Sequence, residues 1–575
     1  MLTVLLTILM FSQGLSMDSR GTSFITAFPE NIAVYYKKTI NLLKITTLHP
    51  NTIVNVTYLA KGTVNTTECI INGTILTVYL TKNVEENRFV SSNKSFRITS
   101  DKNVTVLSVS GWQGRFQSRV VQPEQHLGTV YQVPALNYTK VAASFSLLMT
   151  SADRFLPFRL MIINAVDRNN SVTIKQVDER GQSQADRITL GPYELFQIEI
   201  NGTVREINAV DKVAVLLTHP CFDAINCSCN MVVNQLKPPV FDKIPATFLV
   251  PSIFSAKQLL LTTNQSCKVC QGLSSNCILV QNSTDILPFS WNFISTTVHV
   301  SLQLISPGLI LDLIPTSMFS GCYLLGFNSS RSGALVITNT SSTNGVRIND
   351  QPLPSSIKWS IMEGTEYSWA LVETQEIGTI WHPTSKIGVY MIERLESNII
   401  YGSPAIAINT DPDGNGCLVT PETFVLGKDE MSWFMSRKYC LENADQLARI
   451  VANSSVNRMV LNTTVQESKE GWIGLRRNLY TTEWYWKNED NFPSTVEFTY
   501  WERGHPEKPE KGLCASISLD PSKKFKWKSA GCCTKKKPVC YLSIKYLTYS
   551  DTVNNLCLNY NTYVNSFQDC MFRGQ

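Results

Sequence analysis

This 575-residue chain carries little charge: 17% of its residues are Asp, Glu, Lys or Arg, against 43% hydrophobic. That balance excludes a disordered, self-repelling polymer. A net charge of +5 is small for the length and leaves no nucleic-acid footprint. The six histidines, His49, His126, His219, His299, His382 and His505, are scattered. There is no His-Glu-x-x-His, no Gly-x-Ser-x-Gly and no phosphate-cradling glycine loop, so no catalytic constellation is nominated and a non-enzyme is expected. Beyond the first residues no apolar run reaches the roughly 18 needed to cross a bilayer, so no membrane span is expected. From Gly21 to Asn409 no amphipathic helix of about a dozen residues is evident, which excludes a helical bundle there. The chain is also too long for one core, and two to four domains are expected.

What is present points outside the cell. Leu2 to Phe11 is apolar, and Gly14-Leu15-Ser16 places small residues for a cut after Ser16, so residues 1–16 read as a secretory signal. Sequons begin at Asn55, Asn65, Asn72, Asn93, Asn103, Asn137, Asn169, Asn201, Asn226, Asn264, Asn282, Asn328, Asn339, Asn453 and Asn462. Behind a signal, that many predict a heavily glycosylated, secreted, extracellular protein. The 16 cysteines are even in number and suit an oxidising compartment. Cys227-Ser228-Cys229 and Cys267-Lys268-Val269-Cys270 have superficial zinc spacing, but oxidised sulfurs do not ligate as thiolates. Cys69, Cys221, Cys227, Cys229, Cys267, Cys270, Cys277 and Cys322 make eight, which can all be bridged. The end, Asp569 to Gln575, is neither a membrane tail nor a lipid-anchor signal.

Between Gly21 and Asn409 short Val/Ile/Thr-rich strands follow one another. They are expected at 52–59, 74–80, 95–99, 104–108, 171–177, 213–218, 297–305 and 334–338, punctuated by Gly, Asn, Asp and Pro. The pattern predicts an all-β region of two or more antiparallel β-sandwich subdomains, with no clean short-period repeat. Several runs here are distinctive: Gly21-Thr22-Ser23-Phe24 with Ala27-Phe28-Pro29, the stretch Gln122-Pro123-Glu124-Gln125-His126-Leu127-Gly128-Thr129-Val130-Tyr131-Gln132-Val133-Pro134, Val213-Ala214-Val215 with Cys221 and Cys229, and Gln235-Leu236-Lys237-Pro238-Pro239. Ile387-Gly388-Val389-Tyr390 and Tyr401-Gly402-Ser403-Pro404 complete the set. On these residues the region 21–409 resembles the N-terminal domain of the IgG Fc-binding protein family. The resemblance implies a binding module with a mucin or immunoglobulin-like partner, and it identifies the domain rather than a ligand. His126, inside one of these runs, reads as structural.

Thr410 to Gly416 is a turn-rich linker. After it come Trp433…Cys440, Trp472-Ile473-Gly474-Leu475, Cys514…Cys532 and Pro538-Val539-Cys540. A helix is expected over 431–440 and on through 441–447, with Trp433 and Phe434 on its buried side, and a second short helix over 454–461. Residues 472–475, 483–486 and 525–527 read as strands. The landmarks make 417–541 resemble a C-type lectin-like domain, a C-terminal α+β fold. The resemblance implies the disulfides Cys440–Cys540 and Cys514–Cys532 and leaves Cys417 and Cys533 able to pair with each other. Residues 542–575 form a tail whose Cys557 and Cys570 could close a local loop.

In calcium-binding members of that family a Glu-Pro-Asn-type and a Trp-Asn-Asp tripeptide, with an acid near the inner cysteine, supply oxygen ligands. Here His505-Pro506-Glu507, Trp527-Lys528-Ser529 and Leu513 stand at those positions. Only Glu507 is still a carboxylate, and Lys528 brings an ammonium, so no calcium and no other cofactor is expected. Between Arg503 and Lys537 there are ten Lys/Arg and three Asp/Glu. Lys523, Lys524, Lys526 and Lys528 interleave with Phe525 and Trp527. Together with His505 and Glu507 they are the candidate ligand-binding residues, for an anionic glycan or an extracellular protein. A plainly solvated face is the competing reading of the lysines. The function expected is recognition or adhesion. The alternative is a structural mucus or extracellular-matrix component assembled through its modules and disulfides.

Overall fold

The computed structural model describes residues 18–31, 39–49, 51–60, 63–71, 75–80, 84–112, 115–137, 141, 157–177, 182–225, 228–239, 244–254, 258–263, 265–272, 277–280, 284–288, 291–306, 309–326, 332–374, 378–395, 398–420, 423–450, 470–487, 496–520, 523–547 and 555–558. The chain divides into two compact units, Met1–Cys417 with Thr548–Gln575, and Leu418–Leu547. The expected signal and the helix expected at 454–461 lie outside the described residues.

The first unit is built from one seven-strand pattern used four times. Repeat one comprises Gly21–Pro29, Ile40–Thr47, Thr52–Ala60, Thr63–Ile71, Ile75–Leu80, Ser95–Trp112 and Arg115–Val121. In repeat two the strands are Gly128–Gln132, Phe158–Asn164, Asn170–Val177, Ser183–Leu190, Leu195–Ile200, Val204–Ile225 and Ser228–Gln235. Repeat three has Ala246–Leu249, Gln258–Thr262, Cys267–Gln271, Cys277–Val280, Thr284–Pro288, a sixth strand in two pieces (Phe293–Thr296 and Ser301–Ser306), and Leu309–Asp312. Repeat four has Cys322–Leu325, Ser332–Asn339, Arg347–Ile348, Gln351–Pro352, Tyr367–Glu373, a sixth strand again in two pieces (Gly378–Trp381 and Gly388–Leu395), and Asn398–Pro404.

The same antiparallel pairings recur in every repeat. The first half of the sixth strand lies between the first and third strands, and the fourth flanks the third. Its second half lies between the second and seventh, and the fifth flanks the second. Each repeat is therefore a two-sheet sandwich whose sheets share the sixth strand. No short-period repeat was expected from the sequence, and the repeat that exists is long and conserves pairing rather than residues. The strand expected over 297–305 is interrupted, because residues 297–300 form the break between the two pieces of a sixth strand.

Burial explains the sequence of the second strands. Phe158–Asn164 is a near-continuous apolar run because both of its faces are covered. Leu160 and Ile162 enter the core of repeat two, while Met161 and Ile163 pack with Ile25 and Ala27 of repeat one. Repeats three and four share one core, in which Leu259, Leu304 and Phe319 meet Leu335, Ile337 and Tyr390. The joints between repeats one and two and between three and four are also alike. Pro123 and Pro315 each precede a one-turn 3-10 helix and bridge Phe24 and Phe248 of the first strands. Eight residues after each proline stands a buried tyrosine. The Tyr131 hydroxyl accepts from Gly128 N at 2.9 Å, and the Tyr323 hydroxyl from Ser320 N at 3.1 Å. Gly128 is needed there, since a Cβ would sit 2.7 Å from Pro238.

The seventh strands close the unit on itself. Arg115–Val121 touches Ser228–Gln235, which touches Leu309–Asp312, which touches Asn398–Pro404, which returns to Arg115–Val121. Gln122 N donates to Gln235 Oε1 (3.2 Å), Asn234 Nδ2 to Asp312 Oδ1 (2.8 Å) and the Tyr401 hydroxyl to Ser118 O.

Several cysteine expectations are corrected. Cys417 is bonded to Cys322 across 95 residues, not to Cys533, which is free and exposed. Cys267 is a free, buried thiol, so the eight upstream cysteines are not all bridged among themselves. Cys270 pairs with Cys277 in a hairpin. The tail strand Asn555–Leu558 adds to the fourth strand of repeat one, with Cys557 opposite Cys69, which is disulfide-bonded. Cys570 lies outside the described residues.

In the second unit the sheet runs Thr423–Leu426, Lys537–Leu542, Glu470–Arg477, Cys514–Ser518, Trp527–Ala530. The helix Trp433–Asn443 starts where the Ser432 side chain accepts from Met435 N. It buries Trp433, Ser436 and Cys440, at helical spacing. Phe434, expected on the buried side, is 49% exposed, because it lies off that stripe. Residues 446–447, expected to extend the helix, form a short strand. Cys440–Cys540 and Cys514–Cys532 are bonded.

The joints give a paired test. Replacing Tyr131 by Phe takes the hydroxyl acceptor from the half-buried Gly128 N–H and removes the donation to Val213 O, whereas Tyr323→Phe removes one of two acceptors of the Ser320 N–H, which also donates to Ile387 O. Each change is expected to cost about 1–3 kcal/mol, with Tyr131→Phe the larger. Denaturant unfolding of the purified chain measures it, and unchanged midpoints in both variants would show that the hydroxyls do not hold the joints.

Candidate functional site

The candidate site sits where the loop after Trp501 meets the strand Trp527–Ala530. The strand is fixed from below by aromatic packing, since Trp527 is fully buried and lies edge-on to Trp486, Phe498 and Trp501. Alternation then turns Lys528 to the other face of the sheet. The loop is tied to the next residue, Ser529. Its hydroxyl accepts from Glu507 N at 2.8 Å and lies 3.1 Å from His505 Nδ1, which in turn accepts from Ser529 N at 3.1 Å. The His505-Pro506 peptide is cis. His505 and Ser529 thus fix loop shape rather than present free ligand atoms.

Lys528 is not a free surface cation. Its Nζ lies 2.9 Å from Glu470 Oε1 and 3.3 Å from Glu502 Oε2, and Lys536 donates to the other Glu470 oxygen. Lys536 also faces the Trp472 ring at 5.4 Å. Partial burial raises the Glu470 carboxyl, but hydrogen bonds from Lys536 and Lys528 outweigh this and hold it down at about 2. The same hydrogen bond to Glu470 leads in raising Lys528. Glu470 and Glu502 were not nominated from the sequence. Glu470 lies 58 residues before Lys528, and only the register of Glu470–Arg477 against Cys514–Ser518, and of that strand against Trp527–Ala530, brings them together.

The other nominated residues separate. Lys526 Nζ lies over the Tyr500 ring at 5.6 Å. Lys523 and Lys524 are exposed on the turn before the strand, where Lys524 and Phe525 take φ of 53° and 56°. That turn is why the strand begins at Trp527 and not at Phe525. Among the described residues the Glu507 carboxylate pairs with Lys511 alone, at 3.9 Å, and its carbonyl oxygen accepts from Arg477 Nη1 at 3.0 Å. Lys535, Arg503 and Lys508 are exposed near the same loops in sequence. Two carboxylates closed onto an ammonium do not fit calcium, which wants six to eight oxygens around a divalent charge. No group of His, Cys, Asp or Glu among the described residues is arranged to hold a metal.

Of the sequon asparagines, Asn55, Asn93, Asn103, Asn137, Asn169, Asn201 and Asn339 are described, and none is buried. Asn65 lies on the strand Thr63–Ile71. Asn72, Asn226, Asn264, Asn282, Asn328, Asn453 and Asn462 lie outside the described residues.

Comparison with known proteins agrees with both regions. Residues 429–542 match the family described as Lectin C-type domain. Human IgGFc-binding protein is 25% identical over 398 residues, 63% of this chain and 7% of that protein. Mouse C-type lectin domain family 6 member A is 23% identical over 124 residues, 22% of this chain and 57% of that protein. The chain thus spans a small part of the first relative and just over half of the second. Human lithostathine, a solved structure, is 20% identical over 22% of this chain and 93% of its own, with a TM-score of 0.19. No helix among the described residues is long and apolar enough to cross a membrane.

The network has a pH signature. The Glu470 carboxyl moves from an ordinary 4.5 to about 2 on folding, so its contribution to stability is full above about 4.5 and is lost as pH falls from there through about 2. Melting followed against pH should show this loss, and Glu470→Gln should lower the melting temperature at neutral pH while flattening the acid limb. An identical acid limb in the variant would show that Glu470 is not the titrating group.

Proposed function

We propose that the chain is a secreted, glycosylated recognition protein whose C-type lectin-like domain binds an anionic ligand, a sulfated or sialylated glycan, without calcium. The observation that carries this is Lys528, whose ammonium closes on Glu470 and Glu502 at 2.9 and 3.3 Å. A built-in cation occupies the carboxylates that could otherwise take part in holding a metal. The exposed Lys523, Lys524 and Lys535 remain to attract negative charge. The four-repeat unit serves as the protein-binding module, a role supported by its similarity to IgGFc-binding protein. Secretion is supported by the bonded cysteines and glycosylation by the accessible sequon asparagines.

Binding to an array of sulfated and sialylated glycans tests the reading. The expected result is binding that is unchanged by chelator and weakens as salt rises, because exposed charges are screened over about 8 Å at physiological ionic strength. Changing Lys523, Lys524 and Lys535 to Glu should abolish it and leave the melting temperature unchanged, since none of the three has a role in the core. Saturable calcium-dependent binding would overturn the metal-free reading, and salt-insensitive binding by the triple variant would overturn the cationic one.

One observation favours the alternative of a structural mucus or matrix component. Cys533 is a free, exposed thiol next to the bonded Cys532, so two copies could join through it. Non-reducing electrophoresis separates the readings: discrete monomers favour recognition, and covalent ladders lost in Cys533→Ser favour assembly.

A further inference from the structure

Where the four seventh strands converge there is a cavity of about 60 Å³ to which each contributes, among others through Ser118 and Arg119, Asn234, Asp312 and Tyr401. Arg119 is 6% exposed. Strand register places it opposite Ser108, on the side of Val121, which is why it is drawn inside. Its Nη2 donates to Thr26 Oγ1 at 2.5 Å and Ser108 Oγ at 3.1 Å. Its Nε and Nη1 are buried and meet no acceptor among the described residues.

No carboxylate among the described residues forms an ion pair with it; the buried Glu393 lies across the strand pair from Tyr401. Among the described ion pairs Arg119 has none, and the acid lining the cavity, Asp312, is committed to Lys237 (3.8 Å), Asn234 and Gln303. The charges lining the cavity are Arg119 and Lys237 against Asp312, two positive and one negative, which leaves one positive charge in excess. Burial lowers the guanidinium only to about 9, so it is charged at neutral pH. A buried cation with unpaired donors is among the costliest arrangements a folded chain can hold, and it persists when a counter-charge supplies the missing acceptors.

We propose that this hub binds a small monovalent anion, a halide or a carboxylate group, on the Nε and Nη1 donors of Arg119. The space is ample for an ion or a carboxylate with its waters. The anion neutralises the one uncompensated charge at the junction of the four repeats and so couples closure of the ring to anion binding. This site is independent of the lectin-like domain and of its ligand.

Bromide is the direct probe. Crystals of the wild-type full chain, prepared free of other halides and titrated with sodium bromide, should show saturable anomalous density within hydrogen-bonding distance of the Arg119 guanidinium. Competing formate that removes the density shows that a carboxylate is accepted, and formate without effect shows a halide site; either supports the proposal. In solution, replacing fluoride by bromide at constant ionic strength should raise the melting temperature of the wild type by more than that of Arg119→Met. Absence of bromide at Arg119, or density that fails to saturate and marks an adventitious ion only, would overturn the proposal. If Arg119→Met is not secreted, the bromide titration of the wild type decides alone.

Discussion

Each sandwich of the first unit hangs on one strand that belongs to both of its sheets. In repeat one Ser95–Trp112 pairs through Phe96, Ile98 and Thr99 with the first and third strands, and through Val106, Leu107 and Ser108 with the second and seventh. Side chains alternate along a strand, so a one-residue slip would turn Ile98, Val104 and Val106 out of the core in both sheets at once. The register of four pairings is thereby tied to one hydrophobic pattern. Repeats three and four relax the constraint by breaking the strand, at 297–300 and 382–387, and keep the same partners on each side of the break. What the four copies preserve is the division of one strand between two sheets, not its length.

Closure of the seventh strands follows from the same geometry. A seventh strand is the edge of its sheet, and an edge offers unpaired backbone groups to any passing chain. Set against the seventh strands of its neighbours, each of the four edges is covered. The polar cross-links there, Gln122 to Gln235, Asn234 to Asp312 and Tyr401 to Ser118, are made from side chains or turns, because the edges meet without forming a continuous ladder. That leaves the hub polar, and a polar hub is where a charge such as Arg119 can be retained.

Much of this was legible in the sequence, and what was not has a physical reason. Strand-rich composition gave the all-β region and the two short motif sets gave both domains, because alternation and disulfide landmarks are local signals. The repeat was invisible because it conserves pairing, and pairing is decided by which faces are buried rather than by particular residues. Phe434 was misplaced because an aromatic residue beside a buried Trp433 reads as core, whereas the helix buries a narrow stripe. Cys417 was left able to pair with Cys533 because the resemblance kept both inside one domain, while its bond runs to Cys322, 95 residues earlier and within the first unit. At the candidate site the residue types standing at the positions aligned with calcium ligands, His505, Glu507, Lys528 and Ser529, were readable one by one. The pairing of Lys528 with Glu470 was not, because it depends on strands distant in sequence.

The joints also say where recognition is not. The most distinctive run in the first unit, Gln122 to Pro134, is the turn between repeats one and two. Its tyrosine hydroxyl and its proline are accounted for by backbone contacts, and its glycine by the close approach of the Pro238 ring. The counterpart from Pro315 to Tyr323 does the same work with different neighbours, keeping only the proline, the single 3-10 turn and the tyrosine. Residues retained at a joint report on folding and not on a partner. If the first unit carries the proposed binding role, its contacts belong on the loops and exposed strand faces between the joints, which also carry the accessible sequon asparagines, and any glycans there would limit which of those faces a partner can reach.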